Sequence, residues 1–373
     1  TVFWGATLFV LTRLIKVNKL WKVPREAARI SAWSFTLAWL SLLIAVILLY
    51  IATGDWYIHS NMSDDNAINY GMRLCINLLI VLAVIIPAAQ FPFQGWLIES
   101  VAAPTPVSAI MHAGIVNAGG VILTRFSPVF NDEIAISLLL IIASISVLLG
   151  SGISLVHVDY KRQLVGSTIS QMGFMLVQCA LGAYSAAIVH LILHGVFKAT
   201  LFLQSGSVVK RFNIPTPPSV KKSYGWLVFG RLLAILIAII FWLNSDRHAY
   251  DVLSALILAW SLMVSWNQLV AFSHGLIGRI IGICMIIVVA LVYIITHHYF
   301  FTTLSTVDIY IVSPPLISII LSIAIIVFGS MLSIWVARRR ESKAFAKLYL
   351  WLIKVGEAKT QSIESHPSYL KRF

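Results

Sequence analysis

Three ionisable side chains recur at every fourth position of one apolar segment and give the chain its clearest chemical signal. The segment AAIVHLILHGVFKATLFLQSG, residues 186–206, contains His190, His194 and Lys198. Four residues advance an α-helix by about 400°, so these groups form a stripe about 12 Å long on one helix face. His titrates near neutral pH and Lys exchanges a proton where water is scarce, so the stripe suits proton hopping through intervening waters.

Two other interpretations of the same stripe remain open. The histidines can form structural hydrogen bonds to neighbouring helices while the lysine neutralises a carboxylate. The His-x-x-x-His spacing of His190 and His194 also suits a haem or a metal ion, but the sequence offers no third ligand nearby.

A single histidine in the segment PTPVSAIMHAGIVNAGG is the second candidate. His112 lies near the middle of this apolar run, and Asn117 follows about a turn and a half later. The Gly and Ala residues around them allow close helix packing or a file of water molecules. The alternative is a buried histidine with a structural role only.

Two prolines interrupt the apolar run IPAAQFPFQGWL, residues 86–97. Pro87 and Pro92 remove backbone donors and disrupt the preceding helical turn, and Gln90 lies between them. A helix broken at membrane depth is tolerated only inside protein or beside a water-filled cavity, and such helices mark ion paths in many transporters. The alternative is a simple helix end followed by an interfacial segment.

Charged residues cluster in the short segment VDYKRQL. Asp159 precedes an apolar run and is placed to cap its helix, while Lys161 and Arg162 follow directly. This cluster is a candidate for cytoplasmic proton uptake or for contact with a partner. Anchoring of the loop on the cytoplasmic side by its positive charge explains it equally well.

The composition places all four candidates in a membrane. Hydrophobic residues make up 59% of the 373 residues and charged residues only 11%, against about a quarter in a soluble domain. The net charge of +13 is spread between apolar runs, so no nucleic-acid partner is expected. We predict an all-α polytopic membrane protein with about 11 transmembrane helices, because the runs are long and lack the alternation of a barrel strand. The predicted spans are 1–16, 31–53, 74–89, 105–125, 134–156, 164–182, 186–206, 226–243, 251–273, 278–296 and 311–337.

The loop charges predict how the bundle is oriented. The loop segments 17–30, 161–162, 210–222 and 338–340 are basic, whereas 55–65, 132–133 and 308 are acidic. Since basic loops stay in the cytoplasm, the C-terminus is expected there. We predict a transmembrane bundle over 1–337, with its core motifs in 74–210, and a basic cytoplasmic tail over 338–373, where Leu348–Val355 lies along the interface or in solvent. The chain begins with Thr1, not Met, inside an apolar run. We interpret it as a fragment whose earlier spans are missing.

The sequence lacks the motifs of soluble cofactor sites. It has no Gly-rich phosphate loop, no dinucleotide fingerprint and no metal-type Cys pair. We therefore expect no metal site and no cofactor in this chain, and any chemistry within the membrane.

Three stretches together resemble the antiporter-like subunit family of respiratory complex I, the NADH dehydrogenase subunit 5 type. They are FPFQGWLIESVAAPTPVSAIMHAG, DYKRQLVGSTISQMGF and HLILHGVFKATLFLQSGSV, and they cover about residues 90–210. The resemblance implies a helical bundle with broken helices and buried proton-carrying residues. It matches His112, His190, His194 and Lys198 to proton-path positions, and Lys161 with Arg162 to the charged loop.

The chain also departs from the complex I pattern. Gly5 follows Trp4 where the family has Glu, and Pro87 stands where the family has a buried Lys. The Glu–Lys pair of the first half is therefore absent, which argues against the complex I pumping mechanism.

The stretch TLFVLTRLIKVN and the tail HPSYLKRF are closer to the DabB-type (MpsA-type) branch of this family. That resemblance implies a non-enzymatic subunit in a bacterial cell membrane that conducts H⁺ or Na⁺ to drive inorganic carbon (CO2/bicarbonate) uptake. It also implies a DabA-like cytoplasmic partner that holds zinc. The alternatives are a proton-translocating subunit of an NADH:quinone oxidoreductase-like or multisubunit cation/proton antiporter complex, and a membrane enzyme with His190 and His194 as metal ligands.

Overall fold

The computed structural model describes residues 1–17, 20–58, 68–205, 224–243, 280–288, 315–339 and 341–358, and isolated positions between 255 and 303. Helices dominate these ranges. They are α1 (Val2–Ile15), α2 (Lys22–Thr53), α3 (Tyr70–Ile85), α4 (Gly95–Glu99), α5 (Thr105–Ala113), α6 (Ala118–Arg125), α7 (Glu133–Val156), α8 (Tyr160–Ala180), α9 (Tyr184–Ser205), α10 (Tyr224–Leu243), α11 (Leu316–Arg338) and α12 (Lys343–Gly356).

The apolar helices form the predicted all-α membrane bundle. Among the described residues, five segments are long and apolar enough to cross a bilayer: α2, α5 with α6, α7, α9 and the first 18 residues of α11. Shorter apolar helices include α1, α3 and most of α10. Most of the predicted span 251–273 and part of 278–296 lie outside the described residues.

The basic segment 17–30 is not the loop that the charge pattern predicts, because α2 already begins at Lys22. Pro24 lies in the first helical turn, where a missing backbone N–H removes no hydrogen bond. Arg29 also pairs with Glu26 one turn earlier, at 2.6 Å. Charge alone could not reveal this extension of the helix.

The antiparallel pair α7–α8 is the most closely packed part of the bundle. A Cβ atom at Gly150 would lie 2.6 Å from the carbonyl oxygen of Gly166, and a Cβ at Gly166 would lie 2.8 Å from that of Gly150. The two backbones therefore touch without intervening side chains, as small residues permit in membrane helices. The hydroxyls of Ser151 and Ser170 join the same interface at 2.9 Å.

The chain is interrupted between α3 and α4, where the two prolines predict a break. After Ile85 the backbone is irregular from 86 to 94, and Ala89 adopts the left-handed conformation with φ of 53°. The first part of the broken segment, residues 86–90, is buried in protein, whereas Phe91 and Pro92 are exposed.

A second interruption separates α5 from α6, although the sequence predicts one continuous span over 105–125. The Asn117 backbone N–H bonds to Gly114 at 3.0 Å in a 3₁₀ turn over Ile115–Asn117. The side-chain amide of Asn117 donates instead to the carbonyl of Ala113, at 2.7 Å. A side chain thus replaces the helical backbone bond, which hydropathy alone does not reveal.

The last described helices pack on α7. Ser137 and Ser318 share a hydroxyl hydrogen bond of 2.6 Å, and a Cβ at Gly329 would meet Leu148, so α11 runs parallel to α7. Leu352 of α12 covers Gly152 near the end of α7. The predicted interfacial stretch therefore lies in α12, while residues 359–373 lie outside the described part of the chain.

Candidate functional site

The predicted stripe lies on the uninterrupted helix α9. His194 and Lys198 are buried and His190 is half-buried. The ring centroids of His190 and His194 are 6.1 Å apart in an edge-to-face arrangement. The helix therefore presents all three titratable groups in order to the interior of the bundle.

Lys198 is held deep in the protein without an acidic partner among the described residues. Its side chain is 1% exposed, and Nζ donates a hydrogen bond of 3.1 Å to the carbonyl oxygen of Leu164 in α8. An ammonium group at this depth in a membrane costs free energy, so a lysine buried there indicates a functional role.

His112 is linked to Lys198 through Thr168 and the carbonyl oxygen of Leu164. The Thr168 hydroxyl donates to Leu164 at 2.9 Å, so it must accept from Nδ1–H of His112, which is 3.0 Å away. The imidazole also stacks on Phe202 of α9, with ring centroids 4.1 Å apart. A neutral His112 held in this way presents Nε2 as a hydrogen-bond acceptor.

The other end of the stripe contacts the far end of α8. Nδ1–H of His190 donates to Oε1 of Gln178 at 3.1 Å, which also leaves Nε2 as an acceptor. Neither ring nitrogen of the buried His194 has a hydrogen-bond partner in the described part of the chain. Leu164 and Gln178 are about 21 Å apart along α8, most of the roughly 30 Å hydrocarbon core.

The predicted broken helix is attached to α8 by Gln90. The Gln90 amide donates to the carbonyls of Ala88, at 2.6 Å, and Ile169, at 3.2 Å. Trp96 Nε1 donates to the carbonyl of Ile86 at 2.7 Å, which satisfies a further group of the irregular backbone. Pro87 and Gln90 are buried and Pro92 is exposed. The described contacts join this segment to the backbone of α8 next to Thr168, and not to His112 or Lys198 directly.

The predicted charged loop is wrong for two of its three residues, because α8 begins at Tyr160 and Lys161 and Arg162 lie in its first turn. Asp159 caps α8 by accepting from the backbone N–H of Arg162 at 3.1 Å. Lys161 donates to the carbonyl of Ala103 at 3.1 Å, and Arg162 lies 3.9 Å from Glu357. These contacts tie the start of α8 to the segment after α4 and to the end of α12.

His157, between α7 and α8, is a titratable residue that the sequence did not single out. It is buried beside Gly356, where any larger side chain would meet its Nε2. Burial, followed by the charge of Arg162, lowers the pKa of His157, while Glu357 and Asp159 oppose this.

We expect acid to weaken the packing of α12 on this loop. A histidine whose pKa is lowered in the packed state takes up a proton less readily there than in the released state, where it titrates near its ordinary value of about 6.5. Packing is therefore strongest at neutral pH and is lost as the pH falls. Hydrogen exchange of Lys343–Gly356, corrected for intrinsic rates, should be faster at about pH 5.5 than at about pH 7.5. The His157→Gln variant should lose this dependence, and equal protection of the wild type at both pH values would contradict the prediction.

Comparison with known proteins places this chain in a family. The family model for the transmembrane region of NADH:quinone oxidoreductase and Mrp antiporter subunits matches residues 1–282. The chain belongs to this antiporter-like family. It is 58% identical over 374 residues to a probable inorganic carbon transporter subunit DabB of Bacillus subtilis, covering 100% of this chain and 74% of that protein. A DabB subunit of Bacillus anthracis is 55% identical, covering 99% of this chain and 72% of that protein.

Within the antiporter-like family the chain therefore falls in the DabB branch, as the motif resemblance implied. A solved structure of the Mrp complex from Dietzia has the same fold, with a TM-score of 0.51 and 24% identity over 96% of this chain and 38% of that chain. Among the described residues no cluster of three or more His, Cys, Asp and Glu side chains is placed to hold a metal ion.

Proposed function

We propose that this chain is the proton-conducting membrane subunit of an energy-coupled inorganic carbon transporter. The observation that carries the proposal is a line of titratable groups, with His190, His194 and Lys198 on α9 and His112 on α5, each of the last two held by residues of α8. The DabB relatives supply the substrate class, inorganic carbon, and the proposal takes it to be CO2 or bicarbonate. We expect the subunit in the bacterial cell membrane, with its C-terminus in the cytoplasm.

The hydrogen bonds suggest how a proton moves along this line. Gln178 and Thr168 hold the two outer histidines with Nδ1–H donating, so each offers Nε2 as the proton acceptor. Lys198, between them, can deliver a proton to either side, with water bridging the gaps. The protonated and neutral forms of each group alternate, and no covalent step is required.

A cytoplasmic partner protein would use this proton movement. We propose a DabA-like zinc protein that converts CO2 to bicarbonate, with zinc held by the partner and not by this chain. Arg162 and Glu357 link the α8 loop to α12, and the loop is the proposed contact region. Sodium is the alternative ion in this proposal.

Growth without carbonic anhydrase tests the proposed function. The complete coding sequence and the zinc partner are expressed, singly and together, in a carbonic-anhydrase-deficient bacterium grown in ambient air. We expect rescue only with both proteins and only while an uncoupler is absent. No rescue by a complex shown to assemble would contradict carbon transport, and ion flux in its vesicles would then favour the subunit of a redox-linked or cation/proton antiporter complex.

Loss of the Thr168 hydroxyl is expected to lower transport strongly, although the group is small. The near-isosteric change Thr168→Val removes the acceptor of the His112 Nδ1–H and leaves a buried donor unpaired, which costs about 1–3 kcal/mol. We expect uptake per folded protein to fall about tenfold or more, because His112 loses its fixed orientation. The control Thr124→Val removes a hydroxyl that bonds only within α6, and it should transport normally. Full activity of Thr168→Val would show that the hydroxyl does not fix the orientation of His112.

A further inference from the structure

Asn117 lies at the interruption between α5 and α6 and is 3% exposed. Its amide nitrogen is fully used, because it donates to Ala113 at 2.7 Å and to the carbonyl of Leu191 in α9 at 3.4 Å. The side chain therefore connects the broken helix to the helix that carries the histidine–lysine stripe.

The contact with α9 falls on the turn that contains His194. Leu191 precedes His194 by three residues, and Gly195 follows it. A Cβ atom at Gly195 would lie 3.0 Å from the carbonyl oxygen of Ala113 and 3.6 Å from the amide nitrogen of Asn117. Glycine at this position lets the interruption approach this part of the stripe closely, because a Cβ atom there would make a tight contact with the Ala113 carbonyl.

Two buried polar groups remain unsatisfied at this level of the bundle. In the described part of the chain, Oδ1 of Asn117 accepts no hydrogen bond, and neither ring nitrogen of His194 has a partner. Each buried polar atom left in this way costs about 1–3 kcal/mol. Leu191, which accepts from Asn117, lies about one helical turn before His194 on α9. Water completes the hydrogen bonds of buried polar groups that are left unsatisfied in this way.

We propose that Asn117 and His194 form a water-binding site at the middle of the proton path, with Asn117 as its positioning residue. The amide nitrogen fixes the interruption against α9, and the amide oxygen accepts from the water that bonds to His194. That water carries the proton between His194 and its neighbours in the stripe. This inference rests on the proposed function and assigns to the path a residue outside the histidine–lysine stripe.

Variants of Asn117 separate this role from a packing role. Asn117→Leu keeps the number and branching of the side-chain heavy atoms and removes both polar atoms. Asn117→Ala and Asn117→Ser differ only in a hydroxyl that can bond to water. The measurements are Vmax and KM of inorganic carbon uptake by the assembled complex, and its melting temperature. The control is Asn77→Leu, since Asn77 is equally buried but bonds to Arg73, Val129 and Asp132 away from the stripe.

We expect Asn117→Leu to lower Vmax per folded protein about tenfold or more with KM unchanged, as when a positioned proton relay is lost. Asn117→Ser should retain more activity than Asn117→Ala, and Asn77→Leu should lower the melting temperature without lowering Vmax per folded protein. Normal Vmax of Asn117→Leu, or equal activities of Asn117→Ser and Asn117→Ala, would refute the proposed water-binding site. Uptake that survives Lys198→Met would instead overturn the proposed function, because that variant leaves Asn117 intact.

Discussion

Replacing Lys198 with Met is expected to abolish inorganic carbon uptake while the protein remains folded and inserted. The methionine fills nearly the same space, and the Leu164 carbonyl keeps its bond to Thr168. No carboxylate among the described residues loses an ion-pair partner, so the change removes a buried charge that costs about 2.5–3.5 kcal/mol at mid-membrane. The melting temperature of the complex should therefore stay the same or rise, although uptake falls to the background of cells without the gene.

Lys198→Arg should also impair uptake, because arginine keeps the charge but does not release its proton in the physiological range. Thr200→Ala is the matched control, since Thr200 is exposed on the same helix and its hydroxyl donates to the carbonyl of Val196 within that helix. Uptake by Lys198→Met at the wild-type rate would remove this lysine from the path. Loss of uptake together with loss of the folded protein would assign it a structural role.

Enlarging Gly166 is expected to have the greatest effect on stability. Its Cβ would lie 2.6 Å from the backbone nitrogen of Ser154 and 2.8 Å from the carbonyl oxygen of Gly150, and neither atom can move without shifting α7. Gly166→Ala should destabilise the protein by about 1–3 kcal/mol, and Gly166→Leu should prevent its accumulation in the membrane. Displacing α8 would also disrupt the proton path, because α8 carries Thr168 and Gln178.

Melting temperature and membrane abundance measure the Gly166 effect. Gly71→Ala is the control, since no heavy atom lies within 4 Å of a Cβ at that helical position, and it should be neutral or slightly stabilising. If Gly166→Ala matched Gly71→Ala in both measurements, the close backbone contact of α7 and α8 would be refuted.

The sequence predicted those features of the fold that depend on local pattern. Apolar runs located the spans, and the spacing of His190, His194 and Lys198 placed them on one helix face, because helical periodicity is a local property. The prolines marked the interruption after α3 for the same reason, since each removes a backbone donor within its own turn.

Features that depend on neighbouring helices could not be read in this way. The interruption at Asn117 arises from a side chain that replaces a backbone donor, and its apolar flanks read as an ordinary span. The link from His112 through Thr168 to Leu164 joins residues 56 positions apart, so no spacing rule reveals it. His157 lies against Gly356 at the end of α12, a contact between residues about 200 positions apart.

Proton movement in sealed vesicles tests the central claim most directly. The complete complex, containing either wild-type protein or Lys198→Met, is reconstituted with a pH-sensitive dye inside, and CO2 is supplied outside together with a membrane potential. We predict potential-driven proton flux with the wild type, none with Lys198→Met, and an unchanged flux with Thr200→Ala. Equal proton flux through the wild type and Lys198→Met would contradict conduction along the buried histidine–lysine stripe.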